Sequence, residues 1–345
     1  MKTNNDFEHR LVEAIQPIRY MALAQALHQL HDSGIYGLLA ERQGVSVREV
    51  AKLLKLNEER LQAYFSYLAN EGYLVEEIGW RLTAKGAELA PFLPWYTLLV
   101  GGYAGTFGQI AKTLQAGAPF ATREGAKVGA GSCGMSMYDA LPLTSGLLDR
   151  LPDGEHLVVD LGCGDAAFLV ELCKMRPEIR GVGVDPDAGS VELARRRVAD
   201  AGLADRITIR QGTAADALTL DLPDDGSLCF LTSFVLQEML EQDGVDAVRT
   251  LVKTAFQRYP AAHWVVVEVD HQPDNRKIMA HGLGVSYYNP YFLLHALTEQ
   301  RLVERGVWES LFAEADAEVV AVDHPAIQVD STELELGYLL RAKTA

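Results

Sequence analysis

The stretch from His156 to Asp185 constrains this chain more than any other. It opens with Leu157-Val158-Val159, an apolar run rich in β-branched residues that fits a buried parallel strand. Asp160-Leu161-Gly162-Cys163-Gly164-Asp165 follows as a tight glycine turn. Phe168, Leu169 and Leu172 then recur at helical spacing, so the turn feeds a helix. A second strand, Gly181-Val182-Gly183-Val184, ends at Asp185, about twenty residues past the glycines. Strand, glycine turn, helix, strand and acid together make the plan of an adenosine-binding doubly wound sheet. Gly162 and Gly164 let the backbone approach a ligand closely because no Cβ stands in the way. Asp185, at the carboxyl end of the second strand, can accept both hydroxyls of a ribose.

A dinucleotide-binding fold reads similarly, since Gly162-x-Gly164-x-x-Ala167 satisfies the loose fingerprint. Two features favour S-adenosylmethionine (SAM). Asp160 lies two residues before the first glycine, where a carboxylate can meet the ammonium of a methionine, and the unit begins only at residue 156. Asp160-Leu161-Gly162-Cys163-Gly164 and Val184-Asp185 resemble the first two motifs of class I SAM-dependent methyltransferases. The resemblance implies an α/β fold: a doubly wound, mostly parallel, Rossmann-like sheet behind an α-rich N-terminal winged-helix domain. It also places adenine contacts at Thr213 and Ala214.

The chain of 345 residues is long enough for two domains. A formal net charge of −16 argues against nucleic acid and anionic membrane surfaces, which need a basic face. No apolar run reaches membrane-spanning length, the start lacks a signal-peptide layout, and the four cysteines have no metal-type spacing. A cytoplasmic enzyme with small-molecule partners is the expectation.

Residues 7–32 carry a helical pattern that Pro17 should break or kink. Ser46 and Asn57 read as helix caps, the first as a capping box with Glu49, and residues 73–75 with 80–82 read as a hairpin. Helix, helix, hairpin is a winged-helix order. Its second helix begins Asn57-Glu58-Glu59-Arg60, too acidic for a DNA reader. In the family such a domain builds a homodimer, so residues 1–90 are expected to dimerise, residues 91–124 to form a helical connector, and residues 125–345 to form the SAM domain. Within the connector an apolar helix is expected over 95–114, followed by a flexible glycine-rich run over 125–134. The resemblance lays the segment around Tyr138 across the methionine of SAM.

Later strands are expected at 207–209, 228–231 and 264–268, closed by an antiparallel pair at 317–322 and 334–340. Ligands bind beyond the carboxyl ends of such strands, so Ser233, Gln237, Glu238, Asp270 and His271 face the reacting group. The long segment 271–290, with His281, Tyr287, Tyr288 and Asn289, reads as a substrate lid.

Along nearly its whole length the chain resembles the methyltransferases that act on the β-carbon of α-keto acids such as 2-ketoarginine. In some of these a histidine after the fourth strand joins a lid histidine to hold a metal. Here Gln237 stands at the first position and only His281 is kept, so no metal is expected. A SAM site lacking the usual base also resembles the azetidine-2-carboxylate synthases, which close SAM's own amine onto its γ-carbon and release methylthioadenosine. Ring closure is the primary expectation and C-methylation of an α-keto acid the alternative. In either case Tyr138, Ser233, Gln237, His281, Tyr288 and Asn289 are the catalytic candidates. The cofactor candidates are Asp160, Gly162, Gly164, Asp185, Thr213, Ala214 and Ser233.

Overall fold

The computed structural model describes residues 3–42 and 44–343, so the ends of the spans 1–90 and 125–345 lie outside the described residues. The chain divides into two compact units, Met1–Ala104 with Arg123–Ser132, and Gly105–Thr122 with Cys133–Ala345. Among the described residues no helix is long and apolar enough to cross a membrane.

In the first unit, helices α1 (Thr3–Asp32), α2 (Ile35–Glu41), α3 (Val47–Leu54) and α4 (Glu58–Asn70) precede the antiparallel hairpin β1 (Leu74–Glu76) and β2 (Trp80–Leu82). Their inward residues, Leu27, Leu30, Leu39, Phe65, Leu68 and Trp80 among them, form one core. Ser46 accepts the Glu49 amide at 3.2 Å and Asn57 accepts the Arg60 amide at 2.9 Å, so both helices start where their caps predict. Pro17 does not end α1. Proline removes one donor, and the helix runs on to where Leu27 and Leu30 are packed in the core.

The glycines that follow serve close packing. The expected helix over 95–114 is instead a π-helical turn, Tyr96–Gly102, and a separate α-helix, Ala104–Thr113. A Cβ on Gly101 would sit 2.5 Å from the His28 ring, and one on Gly102 2.7 Å from Val128. The expected flexible run is a helix, Gly125–Ser136, in which a Cβ on Gly131 would lie 2.4 Å from the Leu98 amide nitrogen. Small residues here set how near two segments can come.

The second unit is built on seven strands: β3 (His156–Leu161), β4 (Ile179–Asp185), β5 (Ile207–Gln211), β6 (Leu228–Ser233), β7 (His263–Val269), β8 (Ala317–Asp323) and β9 (Glu335–Ala342). Their order across the sheet is β5-β4-β3-β6-β7-β9-β8, parallel from β5 to β7, with β9 antiparallel to both neighbours. The β-branched and leucine-rich strands are buried on both faces, as a parallel sheet requires. Helices Ala140–Leu148, Ala167–Met175 and Ala188–Asp200 cover one face, and Val245–Arg258 with Arg305–Glu314 cover the other. This is the doubly wound α/β architecture expected from the sequence.

Candidate active site

The carboxyl end of β3 runs into the glycine turn, which is fastened from below. The Gly162 and Cys163 amides donate to the Val184 carbonyl at 2.8 and 3.1 Å, hanging the turn on β4. Gly162 (φ 80°) and Gly164 (φ 54°) lie in the left-handed region that glycine tolerates. They differ in what surrounds them. A Cβ on Gly162 would strike Val235 at 2.8 Å, whereas one on Gly164 would meet nothing within 4 Å. Gly164 thus keeps backbone open to a ligand, and Gly162 permits the turn itself.

Asp185 braces this arrangement. One carboxylate oxygen accepts the Gly164 amide and the other the Asp187 amide, both at 2.9 Å. Asp185 and Gly162 line a cleft of about 940 Å³ with Pro186, Thr213, Ala214 and Met239, a volume suited to a nucleoside. Thr213 is there, but its hydroxyl forms a capping box with Asp216, so its side chain holds the loop. Ala214 begins the short helix that follows.

Asp160 is 5% exposed, and burial followed by the charge of Asp185 pushes its carboxyl up to about 7. A cationic amine would relieve that cost, so the donor set fits the methionine ammonium of SAM. An ammonium at this position would pair with the ionised carboxylate, so its binding would release the proton that Asp160 carries below its free pKa. SAM affinity should therefore peak between the Asp160 pKa of about 7 and the ammonium's own pKa near 8, falling about tenfold per unit well below the first and again well above the second. Titration calorimetry of the wild type and of Asp160→Asn checks this; an acid-side slope that survives in Asp160→Asn would show that another group is responsible.

The acceptor end lies past β6 and β7. Ser233 closes β6 and Phe234 follows at φ 58°, a strained value for a non-glycine residue, which turns the chain into helix Leu236–Gln242. Glu268 accepts the Leu236 and Gln237 amides at 2.9 and 3.3 Å, and complete burial raises its pKa to about 8. Gln237 is 2% exposed and donates to the Phe234 carbonyl at 3.4 Å. Its Oε1 and the Ser233 Oγ are buried without a protein partner. His271 stands edge-on to Phe292, ring centres 4.8 Å apart. Glu238 accepts from Gln300 at 3.1 Å. Tyr138 is 42% exposed, and Asn289 is exposed at the start of helix Asn289–Leu297.

The lid is better ordered than a bare loop, holding a short helix, Arg276–Met279, and a π-helical turn, Gly284–Tyr288. His281 accepts the Leu283 amide on Nδ1, which leaves Nε2 to donate to Ser331 at 2.9 Å. Tyr288 is buried and donates to Asp330. With Gln237 in place of an imidazole and both His281 nitrogens engaged, the residues do not fit the metal of the two-histidine relatives, and no three-ligand cluster occurs among the described residues. Sequence reasoning missed Asp139, Asp330 and Glu335, which gather behind Tyr288; nothing in their spacing links them.

Similarity to known proteins decides the family. Over 338 residues, 97% of this chain and 96% of the relative, it is 47% identical to the 2-ketoarginine methyltransferase of Streptomyces arginensis. The chain belongs to the class I SAM-dependent methyltransferases. Residues 158–257 match a methyltransferase domain family. The enzyme is also 31% identical to the indolepyruvate C-methyltransferase of Streptomyces griseus over 69% of this chain and 68% of that one. Human N-acetylserotonin methyltransferase, solved with SAM, shares the fold at a TM-score of 0.68 and 16% identity, each chain fully covered. The riboflavin-analogue dimethyltransferase of Streptomyces davawensis follows at 0.66 and 19%, with 97% of this chain and 99% of that one covered. The methyltransferase thus uses SAM, whose sulfonium supplies an electrophilic methyl group.

Proposed function

We propose that this methyltransferase moves a methyl group from SAM to the β-carbon of an α-keto acid, with a 2-ketoarginine-type acceptor. The observation that carries this reading is the near full-length identity to a protein named for 2-ketoarginine, alongside one named for indolepyruvate. Both names are those of α-keto acids. The β-carbon becomes nucleophilic in the enol form, reached when the β-proton passes to water and the keto oxygen is protonated. Its attack on the SAM methyl breaks the methyl–sulfur bond, releases S-adenosylhomocysteine and returns the enol proton to water, so the oxygen needs hydrogen-bond partners. The Ser233 hydroxyl, buried without a partner at the end of β6, is assigned to donate to that oxygen, and Gln237 Oε1, an unpartnered acceptor, to take the hydrogen bond of its enol form. Asp160 is assigned to the ammonium of SAM and Asp185 to its ribose, and Tyr138 to its methionine.

Closure of SAM to azetidine-2-carboxylate, the primary expectation from Gln237, draws no support from those names. A neutral amide beside an enol suits methyl transfer without an imidazole. The two readings part in one experiment. SAM alone should be unchanged, and addition of 2-ketoarginine should release S-adenosylhomocysteine with a β-methylated product. Methylthioadenosine and azetidine-2-carboxylate formed from SAM alone would overturn the proposal.

The first unit is proposed to make a homodimer. Helix α1 leaves Phe7, Leu11, Ile15, Ile18 and Met21 exposed, Ile18 at 62% and Met21 at 64%, an apolar stripe on an otherwise acidic chain. Light scattering should give twice the chain mass at micromolar concentration. Ile18→Asp with Met21→Asp should bring it to the monomer; a wild-type monomer would refute the assembly.

A further inference from the structure

Three carboxyl groups meet beside the lid with no cation of the described residues among them. Asp139 caps helix Ala140–Leu148, accepting the Ala140 amide at 2.6 Å. Asp330 accepts the Tyr288 hydroxyl on one oxygen, and the Thr332 amide and hydroxyl on the other at 2.7 and 2.6 Å. Glu335 opens β9 opposite Val269, the last residue of β7. They are 8%, 5% and 4% exposed, and none is ion-paired to a basic side chain of the described residues. Asp139 and Glu335 share a hydrogen bond, and burial with the neighbouring acids holds a proton on Glu335.

An independent observation shows that the set is incomplete. Glu335 Oε1 is fully buried and has no donor from the protein, whereas the oxygens of Asp330 are satisfied. Leaving such an acceptor unmatched costs stability unless something completes it. The register says where that something would come from. Ser233, Val267 and Gly337 lie in one row across β6, β7 and β9, and Glu335 is two residues beyond Gly337 on the same strand. Residues two apart point to the same face, so Glu335 stands on the Ser233 face, toward the strands' carboxyl ends. Strands two places apart are separated by about 10 Å, roughly the reach of an extended amino-acid side chain plus the glutamate.

From this we propose that Asp139, Asp330 and Glu335 form the subsite for the guanidinium end of the acceptor, held while its keto group lies at Ser233 and Gln237. The inference rests on the α-keto acid reading and adds the acceptor's charge and orientation. A planar guanidinium offers paired N–H donors that match carboxylate edges, and it neutralises the cluster as the shared proton leaves. The lid takes part through Tyr288, whose bond to Asp330 ties it to the wall of the subsite.

The test compares 2-ketoarginine with its neutral urea isostere, 2-ketocitrulline, in the wild type, Glu335→Gln and Asp139→Asn, using kcat/KM and direct calorimetric binding to the SAM-loaded enzyme. The wild type should prefer the guanidinium acceptor at least 100-fold. Glu335→Gln should cut that preference to below tenfold by raising KM, with SAM affinity within twofold of wild type as the check on folding. Asp139→Asn, which keeps the helix cap, should act in the same direction. Equal use of both acceptors by the wild type, or an unchanged preference in both variants, would overturn the subsite. Methylation of uncharged α-keto acids alone would overturn the subsite and spare the reaction. Glu335-dependent binding of 2-ketoarginine without methyl transfer would spare the subsite and sink the reaction.

Discussion

Asp185→Ala should weaken SAM binding by about 3 kcal/mol or more, over a hundredfold, in calorimetry at pH 8. Two losses add. The carboxylate would no longer meet a ribose, where charge-assisted hydrogen bonds contribute about 1.5–3 kcal/mol. It would also release the Gly164 and Asp187 amides, so the turn that presents open backbone loses its brace. One effect opposes these. Asp185 raises the Asp160 pKa, and removing it leaves Asp160 more ionised and readier for the ammonium. That gain is small at pH 8, where Asp160, with its pKa raised to about 7, is already mostly ionised. Asp185→Asn, which keeps one acceptor, should lose less than the alanine variant. A change under fivefold for Asp185→Ala would show that the ribose is held elsewhere.

Trp264→Ala should destabilise the second unit by about 4 kcal/mol, read from denaturant unfolding. The indole is fully buried on β7, with Phe230 at 5.4 Å and Phe256 at 6.3 Å between ring centres. Its N–H donates to Thr232 Oγ1 at 3.1 Å, and Thr232 is itself buried. Truncation therefore opens a cavity and strands a hydroxyl, two costs that filling by neighbours cannot both repair. Leu293→Ala, at a position 47% exposed, is the control and should stay within about 0.5 kcal/mol. A loss below about 2 kcal/mol at Trp264 would mean the core collapses around the gap.

The cofactor half was legible because its chemistry is local. Asp160, Gly162, Gly164 and Asp185 come from one strand-turn-helix-strand unit, and each residue type answers to a backbone or charge requirement visible in the string. Thr213 shows the limit: it lines the cleft, while the capping box that occupies its hydroxyl depends on Asp216 folding back. The acceptor half comes from distant segments. Asp139, Asp330 and Glu335 share no period, and only β9 lying antiparallel to β7 brings Glu335 to the working end of the sheet. The glycine at 131 misled for a related reason. A small residue signals either mobility or a close neighbour, and the neighbour is invisible until the chain is folded.

The strand order carries a consequence for how the protein is made. β8 precedes β9 in the chain, yet β9 lies between β7 and β8, so β8 cannot join the sheet until residues 335–342 have been placed. A ribosome releasing this polypeptide has already delivered the whole nucleoside cleft while the β7 edge still lacks its partner. Unpaired edges invite association with other chains. Shortening the protein before Glu335 would therefore cost solubility as well as the acceptor wall, and a fusion or tag at that end must leave β9 free to insert.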